Sequence, residues 1–359
     1  MRLAVRGARV IGWALAGLLL ALPVFAQRVE GDRASAQGVY EAEVPVRSQA
    51  ESEREAGFAR ALAQVFAKLS GDRAISGRPG VGQELRRAKD YVDGYDYRQD
   101  ESVGASGAPS FRTTLVVRFK PEDVDTLVAA LGLPVWPQPR PKPVVWLAID
   151  DGKGPRLVGL QQSNVARGLL QRAVERGYRL GLPSGSAAEQ AAVGAIWRGD
   201  TGAIARLSAR YSPPMQLIGK LYRSGGGWKA DWIFVDNGRV LSRWSEEDGD
   251  ARRAMATGAD GGADALIRRY AKASAASEPT AQRIVFTGVR SGGDYLRLSA
   301  ALQRMSVVRA IRPVHVAPDR LEVELDLLTG LAGFRRMADA DVLVEMEGGD
   351  GIAPVYLLR

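Results

Sequence analysis

The 359-residue chain contains no cysteine and one histidine, His315. Without thiols, disulfides cannot stabilise the protein, and a lipoprotein is excluded because its acyl anchor needs a cysteine. Structural or catalytic zinc is disfavoured because its usual ligands are missing. A Ser-His-Asp triad needs only one histidine, but no G-x-S-x-G elbow occurs in the sequence. We therefore expect His315 to be a surface residue of a strand.

Long runs of basic residues are also missing. The 49 Lys and Arg residues are scattered among 41 Asp and Glu residues, so the formal net charge is +8. Without a basic helix or an aromatic RNA-binding motif, nucleic-acid binding is not expected. The modest excess of Arg is compatible with weak attraction to anionic surfaces such as lipid headgroups, or simply with a well-solvated surface.

A long apolar run occurs only at the start. Residues 1–26 combine three arginines with a short apolar core that Pro23 interrupts, and Ala26 precedes Gln27 as in a signal-peptide cleavage site. The apolar core is shorter than the roughly 20 residues of a spanning helix. The sequence therefore predicts export to the periplasm of a Gram-negative cell and no transmembrane segment after cleavage. Removing three arginines leaves 46 basic against 41 acidic residues, a net charge of +5.

Two breaks divide the remaining chain into three blocks. Residues 133–143 are dense in proline, which favours polyproline II geometry and predicts a semi-rigid spacer. A second break, at 273–279, is rich in Ala and Ser. The predicted organisation follows the order of the chain: a signal peptide at 1–26, an N-terminal α+β domain at 27–133, a linker at 134–143, a middle α/β domain at 144–276 and a C-terminal domain at 277–359.

The first block is predicted to run β-α-α-β-β-α. A strand at 39–46 is followed by Ser48 and Glu51, which have the spacing of a capping box at the start of a helix that Gly71 ends. A shorter helix, a hairpin and a helix from Pro121 complete this block.

The middle block begins with an apolar run, 144–149, that does not alternate and therefore predicts a strand buried on both faces. Helices and a short strand at 178–182 lead to an antiparallel meander of three strands, in which Asn237-Gly238 indicates a tight hairpin turn. A closing helix follows. The glycine-rich segments 224–227, 258–262 and 348–351 are predicted to be turns or mobile loops.

The third block is predicted to run β-α-β-β-α-β with Asp319 in its central turn, an order typical of the ferredoxin-like fold. The fold class is thus multidomain α+β or α/β. In this block His315 falls on the second predicted strand.

Two sets of residues are candidates for a site. Asp150 and Asp151 end the buried strand before Gly-Lys-Gly, but the pattern lacks the Walker spacing and an exported protein meets no pool of nucleoside triphosphate. A Ca²⁺ or Mg²⁺ site is the alternative to a solvated end of the strand. Trp228, Trp232 and Trp244 come from adjacent strands and could bind a glycan or a protein partner, or could instead form the hydrophobic face of the sheet.

Several core and turn patterns resemble a proteobacterial family known as domain of unknown function 2066. The patterns are the strand at 39–46, the helix that ends Leu-Ser-Gly at Gly71, and the runs 111–119, 144–149 and 217–222 with Trp228 and Trp232. The resemblance implies an exported envelope protein without an assigned activity and transfers no functional residues.

Together these observations predict a periplasmic, non-enzymatic protein that needs no cofactor and binds an envelope protein or polymer. The alternative is a periplasmic hydrolase of glycans or phosphoesters that uses Asp150 and Asp151. A third hypothesis is a ligand carrier with a cleft between the second and third domains.

Overall fold

The part of the chain that the structure describes is a mixture of helices with three β-sheets, one from each sequence block. In the computed structural model, the described residues are 38–103, 109–272, 279–346 and 353–359. The predicted signal peptide, most of the break at 273–279 and the glycine-rich segment 348–351 lie outside them. No helix among the described residues combines the length and the apolar character needed to cross a membrane.

The first sheet is antiparallel and holds its strands in the order β1-β3-β2. Helix α1 packs on one face of this sheet, and Phe58, Leu62 and Phe66 of α1 are buried against it. Its elements are β1 Glu41–Val46, α1 Glu51–Ser70, α2 Val81–Arg86, β2 Val92–Val103, β3 Pro109–Phe119 and α3 Pro121–Ala130.

The sequence predicts the C-terminal end of α1 correctly but not its N-terminal end. Gly71 ends the helix with φ 77° and donates its N–H to the carbonyl of Ala67, as the sequence predicts. The capping box predicted for Ser48 and Glu51 is wrong, because Ala50 occupies the N-cap and no side chain caps the helix. Ser48 lies two residues too early to reach the first turn.

The middle sheet has the order β5-β4-β6-β7-β8. Strand β4 pairs parallel to β6 and is buried on both faces, because its side chains enter two separate cores. Helices α4 and α8 pack on one face, and α6 and α7 on the other. The elements are β4 Val144–Asp150, β5 Arg156–Leu157, α4 Arg167–Glu175, α5 Ala187–Gln190, α6 Val193–Arg198, α7 Thr201–Leu207, β6 Met215–Ser224, β7 Gly227–Asp236, β8 Arg239–Asp248 and α8 Ala251–Tyr270.

Two local predictions in the middle block are wrong. Residues 178–182 form only an isolated bridge, between Gly181 and Val144, because Tyr178 turns into the core beneath α8. The glycine-rich segment 258–262 lies inside α8, not in a loop. Asn237-Gly238 does form the two-residue turn between β7 and β8, with both φ angles positive.

The third sheet has five strands in the order β10-β11-β9-β13-β12. Strand β13 pairs parallel to β9 and lies between β9 and β12. This insertion departs from the predicted ferredoxin-like arrangement, because Tyr356 and Leu358 of β13 fill the core position beside β9. The elements are β9 Thr280–Val289, α9 Gly292–Arg304, β10 Val308–Ala317, β11 Asp319–Leu327, α10 Gly330–Met337, β12 Leu343–Met346 and β13 Val355–Leu358.

The proline-dense connector does not hold the first two blocks apart. The side chain of Trp136 is buried in the core of the middle block, while its backbone N–H donates to the carbonyl of Leu69 in the first block, at 2.8 Å. Val135 pairs with Lys272 after α8. Residues Ala34–Arg359 cluster as one compact unit, and Trp136 of the connector is 1% exposed.

Candidate partner-binding surface

Trp232 and Trp244 lie opposite each other on β7 and β8, and their rings stack with centroids 6.4 Å apart. Both rings press on α8, where a Cβ added at Gly258 or Gly261 would lie within 2.5 Å of an indole carbon. Trp232 is 1% exposed and Trp244 is partly buried. These two candidates form the hydrophobic face of the sheet and leave Trp232 inaccessible to a partner.

Trp228 lies near the start of β7 and is also partly buried. The guanidinium of Arg223 lies 4.2 Å from its ring centroid, which is a cation–π distance. The structure therefore does not bring Trp228, Trp232 and Trp244 together as an exposed aromatic platform.

Asp150 and Asp151 point their carboxylates at different partners. Asp150 Oδ1 accepts the backbone N–H groups of Gly152 at 2.8 Å and Gly154 at 3.1 Å. Asp151 forms an ion pair with Arg156 at 3.0 Å, and this hydrogen bond lowers the pKa of Asp151. Within the described residues, no group of three or more His, Cys, Asp or Glu is placed to hold a metal ion. Both carboxylates are thus engaged near the end of β4, one by backbone N–H groups and the other by Arg156.

Exposed apolar side chains instead concentrate on the third block. Val316 of β10 is 72% exposed and Leu296 of α9 is 68% exposed, and Val314 and Tyr295 are also exposed. Large apolar side chains left in water mark interaction surfaces when they lie together.

A cavity of about 680 Å³ lies between the start of α9 and the turn that joins β10 to β11. We call it the edge groove, because β10 is an edge strand of the sheet. Its apolar lining residues are Val289, Tyr295, Pro313, Val316, Ala317, Pro318 and Leu321.

Charged contacts hold the turn beside the groove. Asp319 has φ 63° and its Oδ1 accepts hydrogen bonds from the backbone N–H of Gly288 at 3.0 Å and from Arg290 Nε at 2.9 Å. The hydrogen bond to Asp319 raises the pKa of Arg290, so the guanidinium stays charged. One wall of the groove is thereby tied to the end of β9.

The opposite wall is the capped start of α9. Ser291 Oγ accepts from the N–H of Asp294, and Asp294 in turn accepts from the N–H of Ser291. The hydrogen bond from Ser291 is the main cause that lowers the pKa of Asp294. The helix end is satisfied by its own residues, so the groove offers mainly an apolar contact rather than an anion site.

The edge of β10 is poorly suited to adding a further strand. Pro313 lacks an N–H, and the pairing with β11 is irregular between Pro313 and His315. His315 is an exposed strand residue, as the sequence predicts. A partner would therefore bind through side chains that enter the groove rather than by extending the sheet.

Sequence reasoning missed this surface. Val314 and Val316 belong to a predicted strand, and a strand pattern does not show whether the strand will lie at an edge or in the centre. Pro313 is the one local signal, because proline inside a strand favours an edge position.

The first block is similar to a known protein family. Residues 34–137 match the family model of a domain of unknown function (DUF8605). The match supports an uncharacterised domain there, and it is not a match to domain of unknown function 2066. No curated protein matches the chain. No solved structure matches it either.

Proposed function

We propose that this is an exported, non-enzymatic protein of the cell envelope that binds another envelope protein through the edge groove. The exposure of Val316, at 72%, in a groove whose lining is mainly apolar carries the proposal. Burying a side chain of this size stabilises a complex by roughly 1.5–3 kcal/mol. Apolar side chains at the centre of an interface are typical of protein partners.

Export is supported by the apolar segment and arginines of residues 1–26. A relationship of the whole chain to the proteobacterial domain of unknown function 2066 is supported by the strand and helix patterns quoted above. A ferredoxin-like origin for the third block is supported by β9, α9, β10 and β11, with β13 as an insertion. The hydrolase alternative gains no support from Asp150 and Asp151, because their carboxylates are engaged by separate partners.

The test places a photo-crosslinking amino acid at Val316 in intact cells of the native host. A matched probe at Leu160, which is 58% exposed in the middle block, reports random encounters. We expect one protein adduct of defined mass from position 316 and none of that mass from position 160.

A second substitution checks that the groove is the cause. Tyr295→Glu should abolish the adduct, whereas Val165→Glu should leave it, since Tyr295 lines the groove and is 40% exposed while Val165 is 49% exposed in the middle block. Both variants should keep the melting temperature within a few degrees. The same set of adducts from both probe positions, or an adduct that survives Tyr295→Glu, would contradict the proposal.

Export is tested separately, by N-terminal sequencing of the protein from fractionated host cells. Cleavage after Ala26 gives a chain that starts at Gln27 in the periplasmic fraction. Full-length protein beside cytosolic markers would contradict export and leave the groove itself untouched.

A further inference from the structure

A second cavity, of about 380 Å³, lies on the face of the middle sheet opposite to α8. It is bounded by the C-terminal end of α6 and by the central parts of β6, β7 and β8. We call it the sheet pocket. The lining residues that carry the argument are Trp197, Arg198, Lys220, Asp231, Arg243 and Ser245. Its volume is in the range of pockets that hold small molecules.

Three of these residues form a polar row across the strands. Lys220 of β6 pairs with Asp231 of β7, and Asp231 pairs with Ser245 of β8. Because directly paired residues point to the same face of a sheet, their polar groups meet on the floor of the pocket. The neighbouring pair, Ile218 and Ile233, is apolar and packs in the core that the sheet shares with α6 and α7. The floor therefore changes from apolar to polar beyond the helix.

Asp231 is fixed by three donors and still has an acceptor position for a ligand. Its Oδ1 accepts from Ser245 Oγ at 2.5 Å, and its Oδ2 accepts from Tyr222 at 3.1 Å and lies 3.3 Å from Lys220 Nζ. Burial alone would raise the pKa of Asp231, but these hydrogen bonds outweigh it and lower the pKa, so the carboxylate is charged. A carboxylate oxygen has two acceptor positions, and within the described residues Oδ1 uses one of them. The other can accept a hydroxyl group.

The rim of the sheet pocket is cationic. Arg198 lies at the end of α6 and Arg243 lies on β8, and both are exposed. Arg243 reaches across towards α6, since a Cβ added at Gly199 would lie 3.8 Å from its Nη1. Neither guanidinium forms an ion pair with a carboxylate in the part of the chain that the structure describes. Three cations and one carboxylate line the pocket, so its net charge is +2.

Trp197 provides an apolar wall. Its side chain is partly exposed, and its ring packs against Tyr222 with centroids 5.8 Å apart. Lys220 Nζ lies 5.8 Å from the centroid of Trp197 and 5.6 Å from that of Tyr222, within cation–π distance of both. An aromatic wall beside fixed hydrogen-bonding groups suits a ligand that has an apolar face and polar edges.

We propose that the sheet pocket binds an acidic sugar. The sugar ring lies on Trp197, and one of its hydroxyl groups donates to Oδ1 of Asp231. Its carboxylate binds the guanidinium groups of Arg198 and Arg243 through charge-assisted hydrogen bonds. A simple inorganic anion would leave the apolar wall and Asp231 unused, and a neutral sugar would leave both guanidinium groups without a counter-ion. The site does not depend on the edge groove or on the partner proposed for it.

Three ligands test the proposal by isothermal titration of the full chain at low ionic strength. The first is trigalacturonate, which has both sugar rings and carboxylates. The second is its methyl ester, which keeps the rings and loses the charges. The third is an acetylated and amidated peptide of three aspartates, which keeps the charges and has no rings. We expect trigalacturonate to bind at least about tenfold more tightly than either of the other two ligands.

The deciding variant is Arg243→Gln, because Arg243 is exposed and the substitution breaks no ion pair within the described residues. Arg239→Gln is the matched control, since Arg239 is exposed on the same strand and does not line the pocket. We expect Arg243→Gln to weaken trigalacturonate binding roughly fivefold. Arg239→Gln should bind like the parent chain, and both variants should keep its melting temperature within a few degrees.

A chain that does not bind trigalacturonate overturns the proposal. Equal affinity for the methyl ester also overturns it, because the arginines would then play no part. Equal affinity for the aspartate peptide overturns it as well, because the pocket would then select charge and not a sugar. Finally, equal affinities of the two arginine variants would assign the attraction to the overall positive charge and not to this pocket.

Discussion

Glu189 allows a direct test of how much one buried, ionised carboxylate stabilises the middle block. Its carboxylate is 2% exposed and accepts five hydrogen bonds in the segment between β5 and β6. Oε2 accepts from Ser184 Oγ and from the backbone N–H groups of Gly185 and Ser186, at 2.7–2.9 Å. Oε1 accepts from Arg210 at 2.7 Å and from Tyr211 at 2.5 Å.

Burial alone would raise the pKa of Glu189, but the hydrogen bonds from Tyr211, Ser184 and Ser186 outweigh it and lower the pKa to about 2 from its ordinary 4.5. One pKa unit corresponds to about 1.4 kcal/mol, so the ionised carboxylate stabilises the fold by roughly 3 kcal/mol. This stabilisation is complete above the unfolded pKa and is lost as pH falls from about 4.5 towards 2.

Glu189→Gln keeps the shape of the side chain and removes its charge. We expect the free energy of unfolding in urea, followed by tryptophan fluorescence, to fall by roughly 3 kcal/mol at pH 7. The difference between the two proteins should shrink as pH drops below about 4.5. Glu247→Gln is the control, because Glu247 is 62% exposed in its ion pair with Lys229 and should cost under about 1 kcal/mol.

A loss below 1 kcal/mol at pH 7, or a loss of the same size at pH 7 and pH 3, would refute this reasoning. The first result would mean that the five contacts do not favour the charged form. The second would mean that they act through shape and not through charge.

Two further predictions use unfolding measurements of the same kind. Gly258→Ala should destabilise the protein by about 1–3 kcal/mol although alanine favours helices, because the new methyl group would clash with the ring of Trp232. Gly82→Ala in α2 is the control: its methyl group would have no atom within 4 Å, so this substitution should be neutral or stabilising. Stability of the parent chain should rise with pH between about 8 and the ordinary lysine pKa of 10.5, because the lowered pKa of Lys68 lets the folded state release its proton first. Lys68→Met should remove this rise in the free energy of unfolding. A variant with the same rise as the parent chain would show that another group causes it.

Local signals in the sequence predicted those features that depend on a few neighbouring residues. Gly71 ends α1 and Asn237-Gly238 turns between β7 and β8, because each needs a positive φ angle that these residues adopt at little cost. The apolar run 144–149 is a strand buried on both faces, since no polar residue interrupts it.

Features that depend on distant partners were not predictable in this way. Gly258 and Gly261 read as a loop in isolation, yet they are helical because two indoles from other strands pack against them. Trp136 lies among prolines, but the core of the middle block provides a place to bury it. The candidate surface has the same origin, because Val316 becomes exposed only when β10 takes an edge of its sheet.

Composition and periodicity alone established a cysteine-free chain of mixed helices and strands, because thiol content and the spacing of apolar residues are properties of the chain itself. Tertiary packing decided which apolar side chains meet water and which charged side chains are buried. Those outcomes depend on which segments meet in space: the insertion of β13 beside β9, the edge position of β10, and the meeting of Lys68 and Arg140 at Gly177.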